Sequence, residues 1–411
     1  MVATEVAIDS EPSAAGYRTL LRVPGVPAQV LLGLVAQLTQ PVAPIGVVLV
    51  IESASGSLEL AGLVVAALAV GVAMARPIQG RLIDRRGARS VTTACGLAHC
   101  AALLTLVAGA GAGAPGGLLV AVGWAAGVGL PPISQSMRVD LARRTSAGDR
   151  TAAYSLVFLT QELSYLLGPL LFGAVVAVGA ATLALGVVAG VAGAGALAFA
   201  AVLGGGGPMP PKTASGVFGP RMLSLFAVVG LLGAAIGATQ VALPALAAGL
   251  DRPAMAGVLT AALSLGGILG AIGYGAVAWT ARPATRLVVL LAALGLALSP
   301  LVALGSLTLI GVALFGCGVA LNPALTTISL LVDELAPAAP GEAFGWISTA
   351  IGLGLAGGAA AAGVLGQRYG PTRAFVLASG LALAAAAVAA VIRRRRPRPP
   401  WRPDLIGAAA S

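Results

Sequence analysis

Apolar runs of about twenty residues follow one another along this chain, and a short polar link closes each of them. A hydrophobic segment of that length spans the hydrocarbon core of a bilayer as a helix. Twelve such spans are read, at 27–50, 58–77, 90–110, 116–141, 151–177 and 180–203, then 221–248, 255–279, 285–304, 306–332, 342–366 and 372–392. Between the sixth and seventh lies GGGGPMPPKTASG, whose glycines and prolines break helices and mark a linker. The expected fold is an all-α polytopic membrane protein with twelve transmembrane helices in two six-helix bundles. The expected divisions are a polar segment (1–22), a first bundle (23–203), a linker (204–220), a second bundle (221–392) and a basic tail (393–411).

Composition agrees. Of 411 residues 58% are hydrophobic and only 9% charged, against the usual quarter in soluble domains. The net charge of +10 does not imply a nucleic-acid groove, because the basic residues sit in short clusters between spans. Arg81, Arg85, Arg86 and Arg89 follow the second span, Arg143, Arg144 and Arg150 the fourth, and Arg282 and Arg286 the eighth. Arg393 to Arg396 follow the last, where a Pro-rich basic tail is expected to touch anionic lipid. Helix alternation puts all of these on one side, which the positive-inside bias makes cytoplasmic, with both termini. Residues 1–22 lack the ordered regions of a signal peptide and read as a cytoplasmic lead-in. A single Lys (Lys212) among many Arg suggests a GC-rich bacterial source, hence a bacterial inner membrane.

The link after the second span reads as a tight turn, Gly80-Arg81-Leu82-Ile83-Asp84-Arg85-Arg86-Gly87-Ala88-Arg89. It resembles the signature loop between the second and third helices of the major facilitator superfamily. Gly80, Asp84, Arg85, Gly87 and Arg89 match in frame, while Ala88 fills a slot that is usually basic. The resemblance implies that Asp84 faces the start of the eleventh helix, near Gly341 to Phe344, and that Arg85 or Arg89 reaches Asp140. In the second half the motif has decayed: Gly275 is followed by Trp279 where Asp84 would fall. A repeat survives elsewhere. Gly127-Val-Gly-Leu-Pro-Pro132 recurs as Gly318-Val-Ala-Leu-Asn-Pro323, as halves related by an axis along the membrane normal would leave it.

Glu162 is the one acid read deep within a span, about 18 Å along the fifth helix from Arg150. A carboxylate there faces protein or a water-filled cavity and is expected to bind protons or substrate; locking helices together is the alternative. Gly168-Pro169 and Gly173 follow, in a pattern resembling the antiporter motif of superfamily exporters, with Ser155 and Ser164 in place of its first two glycines. Gln37, Gln40, Gln240 and Asn322 are further polar candidates on helices that, by the same resemblance, line the path. Each can bind a passing solute or tie helix to helix. So little charge in the cavity suggests a partly apolar or amphipathic solute.

No cofactor, metal or enzymatic site is expected. Lys212 has Pro211 where a Walker loop needs Gly, which excludes ATP hydrolysis by this chain. Cys95, His99 and Cys100 lack further ligands, and with Cys317 the cysteines are odd in number and lie in apolar runs. The resemblance implies a monomeric secondary transporter with protons as coupling ion, exporting small molecules. A sugar-like importer or facilitator is the alternative, and a non-transporting sensor a third reading.

Overall fold

The computed structural model describes residues 16–204, 217–249, 252, 255–302 and 306–394. Most of the linker (205–216), nearly all of the basic tail and residues 1–15 of the first segment lie outside the described residues. The first half contains α1 (Tyr17–Arg22), α2 (Val26–Gln37), α3 (Ala43–Ser55), α4 (Leu58–Arg86), α5 (Ala88–Gly111), α6 (Gly116–Gly129), α7 (Ile133–Arg144), α8 (Arg150–Val178) and α9 (Ala181–Val202). The second contains α10 (Pro220–Gly249), α11 (Met255–Ala276), α12 (Pro283–Leu298), a 3-10 turn (Ser299–Val302), α13 (Leu307–Leu335), α14 (Pro340–Tyr369) and α15 (Pro371–Arg394).

Among the described residues eleven helical stretches are long and apolar enough to cross a bilayer, one of them Gly116–Arg144, which α6 and α7 share. The shorter α2 and α3 together make the remaining crossing of the twelve.

Two crossings depart from the expected continuous spans, and proline explains both. The first breaks at residues 38–42, between α2 and α3, around Pro41 and Pro44; Pro44 sits in the first turn of α3, where a missing N–H costs nothing. The fourth breaks at Leu130-Pro131-Pro132, where two successive residues lack the donor a helix needs. Single prolines are absorbed: Pro77, Pro169, Pro244 and Pro323 all lie inside continuous helices. The ninth crossing ends as a 3-10 turn at Pro300.

The signature stretch is also not the turn expected. Helix α4 runs on through Arg86, so Gly80 to Arg86 are helical. Gly87 alone makes the turn, at φ 87°, a left-handed conformation that favours glycine.

Within the first half α4 packs on α6 and α5 on α9; within the second, α10 packs on α14 and α15, and α11 on α13. The halves meet where α4 lies on α14 and α8 on α11 and α13. Ile83, Val91, Val139 and Tyr154 of the first half are buried in the apolar core of the second. That shared core closes the Arg-rich end of the molecule.

Candidate functional site

Polar contacts across the seam begin at that end. Asp84 Oδ1 accepts from the backbone N–H of Gly341 at 2.9 Å, and Oδ2 from that of Glu342 at 2.8 Å. These N–H groups belong to the first turn of α14, which has no intrahelical partner for them and carries the positive end of the helix dipole. Helix α4 comes this close because Gly80 has no side chain: a Cβ there would strike the carbonyl oxygen of Gly341. Gln135 of α7 donates to that same carbonyl at 2.6 Å, and Arg81 pairs with Glu342 at 2.5 Å.

Beside this cluster Tyr154 of α8 donates to Asp333 of α13 at 2.5 Å, with Arg150 3.6 Å from the same carboxylate oxygen. The Tyr17 hydroxyl, from α1, reaches the Ala271 carbonyl of α11 at 2.7 Å. Burial pushes that phenol up to about 12, so it remains a donor. One expected contact is not made. Arg85 and Arg89 flank the Gly87 turn and are exposed, whereas Asp140 takes Arg144, one turn along its own helix, at 2.8 Å.

Closer to the middle of the membrane, two residues singled out separately come together. Asn322 of α13 donates to Glu162 Oε1 of α8 at 3.3 Å, with Ser264 of α11 on the same carboxylate. Glu162 is half-buried and thus joins the two halves beyond the closed seam.

The first half also holds a residue the sequence reading passed over, which shares with Glu162 a neighbour in Tyr165. Arg76 lies ten residues before the end of α4, roughly 15 Å from its Arg-rich end and so at nearly the depth of Glu162. Its Nη1 donates to Gln79 Oε1 at 3.1 Å and to the Leu130 carbonyl at 3.4 Å. Gln79 donates to the carbonyls of Val128 (2.9 Å) and Leu130 (3.1 Å), and Gln40 to that of Pro131 (3.4 Å). The break in the fourth crossing therefore exposes carbonyls that these side chains satisfy. No carboxylate pairs with Arg76 among the described residues; Tyr165 of α8 lies within its electrostatic reach. The signal was present in the sequence as an arginine within an apolar run, which is expensive unless it serves a function.

The other candidates scatter. Gln37 is fully buried and spends its amide on Gly33, Thr160 and Ser134, tying α2 to α8 and α7. Gln240 is exposed. Ser155 meets Thr326 across the seam at 3.3 Å, while Ser164 turns back to the Gln161 carbonyl at 2.7 Å. Gly168, with Pro169 after it, sits against Leu38 and Pro41 at the break of the first crossing, and nothing crowds Gly173. These five do not form one face. Among the described residues no three His, Cys, Asp or Glu side chains are grouped to hold a metal. His99 is buried, with Nδ1 2.7 Å from the Ala126 carbonyl.

The fold has solved counterparts. A bacterial homologue of the iron transporter ferroportin, in an outward-facing state, superposes with a TM-score of 0.75 at 17% identity, covering 90% of this chain and 99% of that one. The human organic anion transporter MFSD10 (TETRAN) gives a TM-score of 0.66 at 18% identity, covering 92% and 100%. No curated protein matches in sequence. The sequence profile of the Major Facilitator Superfamily matches residues 26–350 and, in a second register, 225–410. With its twelve crossings and paired halves, the chain belongs to the Major Facilitator Superfamily and is a membrane transporter.

Proposed function

We propose that this transporter works by alternating access and exports small molecules against protons, with Glu162 as the coupling acid. The observation that carries this reading is the Asn322–Glu162 contact at 3.3 Å. It places a titratable group of one half against the other half, just beyond the closed seam. A proton on that carboxyl changes what it offers Asn322 and Ser264, so protonation and the relative position of the halves bias each other.

The positive-inside bias puts the Arg-rich end, and with it the seam, in the cytoplasm of a bacterial plasma membrane. Closed at that end, the arrangement described is the outward-facing one. The cargo is small and partly apolar, and Arg76 adds a preference for a negatively charged or hydrogen-bond-accepting group. The structural neighbours do not choose a cargo, since one is described by iron and the other by organic anions.

The test uses proteoliposomes loaded with a pH-sensitive dye and offered a panel of lipophilic organic acids and amines. Wild type should move protons when its substrate is added, and Glu162→Gln should lose uphill accumulation. A Gln variant that still concentrates substrate with unchanged pH dependence would show that coupling lies elsewhere.

A further inference from the structure

The Arg-rich end of the seam contains a cavity of about 270 Å³. One wall, with Gly148, Arg150 and Thr151, belongs to the first half; the other, with Trp279, Arg286 and Glu334, belongs to the second. Arg286 is only 8% exposed and lies 5.6 Å from the ring centres of both Tyr274 and Trp279. Its Nε and Nη1 are buried and meet no acceptor, and the same holds for Nε of Arg150 and of Arg221. The lining carries Arg150 and Arg286 with Asp333 and Glu334, and Arg221 and Arg282 add positive charge within electrostatic reach of Glu334. Asp333 is already held by Tyr154, and Asp149 next to the cavity turns to the Ser146 hydroxyl at 2.7 Å.

We infer that this cavity binds a small phosphate-type oxyanion, and that its occupant holds the seam shut. Guanidinium donors converging from two directions suit a tetrahedral anion with several acceptor oxygens, and such charge-assisted bonds are the strong ones. The aromatic pair holds the Arg286 guanidinium in place beside the cavity, so little ordering is left for an anion to impose on it. Because the two walls belong to different halves, the site exists only while the seam is closed. A ligand that binds one state alone shifts the population toward it. Binding is independent of the alternating-access reading; its effect on transport rests on that reading.

Full-length protein in neutral phosphatidylcholine nanodiscs is titrated with inorganic phosphate, with chloride at equal ionic strength as control. Two quantities are read: the unfolding temperature, and the maleimide labelling rate of a cysteine replacing Ile83 of α4, which is fully buried in the apolar core of the second half. The native cysteines are replaced by alanine in this background. Phosphate should raise the unfolding temperature saturably and slow labelling at least fivefold in the parent protein. Arg286→Gln should abolish both effects, and Arg286→Lys should weaken them. Trp279→Leu, which leaves the charge in place, is the fallback should the Gln variant not fold. Adding phosphatidic acid to the discs separates the sources: if lipid reproduces both effects and phosphate adds nothing, the occupant is a headgroup of the same chemistry. No saturable difference between phosphate and chloride, with no lipid effect, overturns the site. Phosphate that stabilises the protein without slowing labelling overturns the coupling to the seam.

Discussion

Asp84 in one half holds Gly341 in the other through the backbone N–H, at 2.9 Å, and the same carboxylate takes the next N–H along. A charge at a helix N-terminus and two charge-assisted hydrogen bonds act together here. The carboxylate is the group best suited to both N–H groups at once.

Asp84→Asn keeps one acceptor and loses the charge. Hydrogen bonds to charged groups contribute about 1.5–3 kcal/mol, so closure should weaken by about 2 kcal/mol, near thirtyfold in the balance of states. Transport should fall sharply while the folded yield stays normal. Initial rates in proteoliposomes, set against monodispersity in detergent, decide this; wild-type rates would remove Asp84 from the gate.

Tyr154→Phe deletes the donor to Asp333 and leaves a buried carboxylate short of a partner, at a cost of about 1–3 kcal/mol. The seam should open more often, seen as faster labelling of a cysteine at Ile83. Adding Asp333→Asn should cost less than the sum of the two single changes, because both remove the same contact.

Gln37→Leu tests the separation of scaffold from path. Its amide ties three helices, so stability should drop by about 2 kcal/mol and the unfolding temperature with it. The substrate KM should not move. A raised KM with an unchanged unfolding temperature would place Gln37 in the path after all.

Arg76→Gln should abolish transport of an anionic or acceptor-bearing substrate, whereas Arg76→Lys should retain part of it as a point charge without the planar fork. Competition binding to the purified variants separates lost recognition from lost movement. Equal affinity in all three proteins would reduce Arg76 to a brace for the broken fourth crossing.

Most of the architecture was legible because lipid enforces it: a span must be apolar and about twenty residues long. The contact of Asp84 with the start of α14 followed from the motif resemblance. What escaped was conformational. Hydropathy averages over a window, so Pro41 and the Pro131-Pro132 pair vanish into apolar runs although they end helices. The same averaging hid Arg76. The Arg85 or Arg89 contact to Asp140 failed because a partner one turn away on the same helix, Arg144, is closer than any residue across a turn. Glu162 and Asn322 were each visible as a polar residue in an apolar setting. Their meeting was not, since 160 positions separate them.

One side of several seam contacts is main chain. Asp84 uses N–H groups of Gly341 and Glu342, Gln135 uses a carbonyl of Gly341, and Thr349 donates to the Ala73 carbonyl at 2.8 Å. Every residue type but proline supplies the N–H, and every type supplies the carbonyl. Evolutionary drift at Glu342 and Ala73 therefore leaves these closures intact. Gly80 and Gly341 enjoy no such latitude, because a Cβ on either meets the backbone of the other. Among descendants of this sequence, the two glycines and Asp84 should change last.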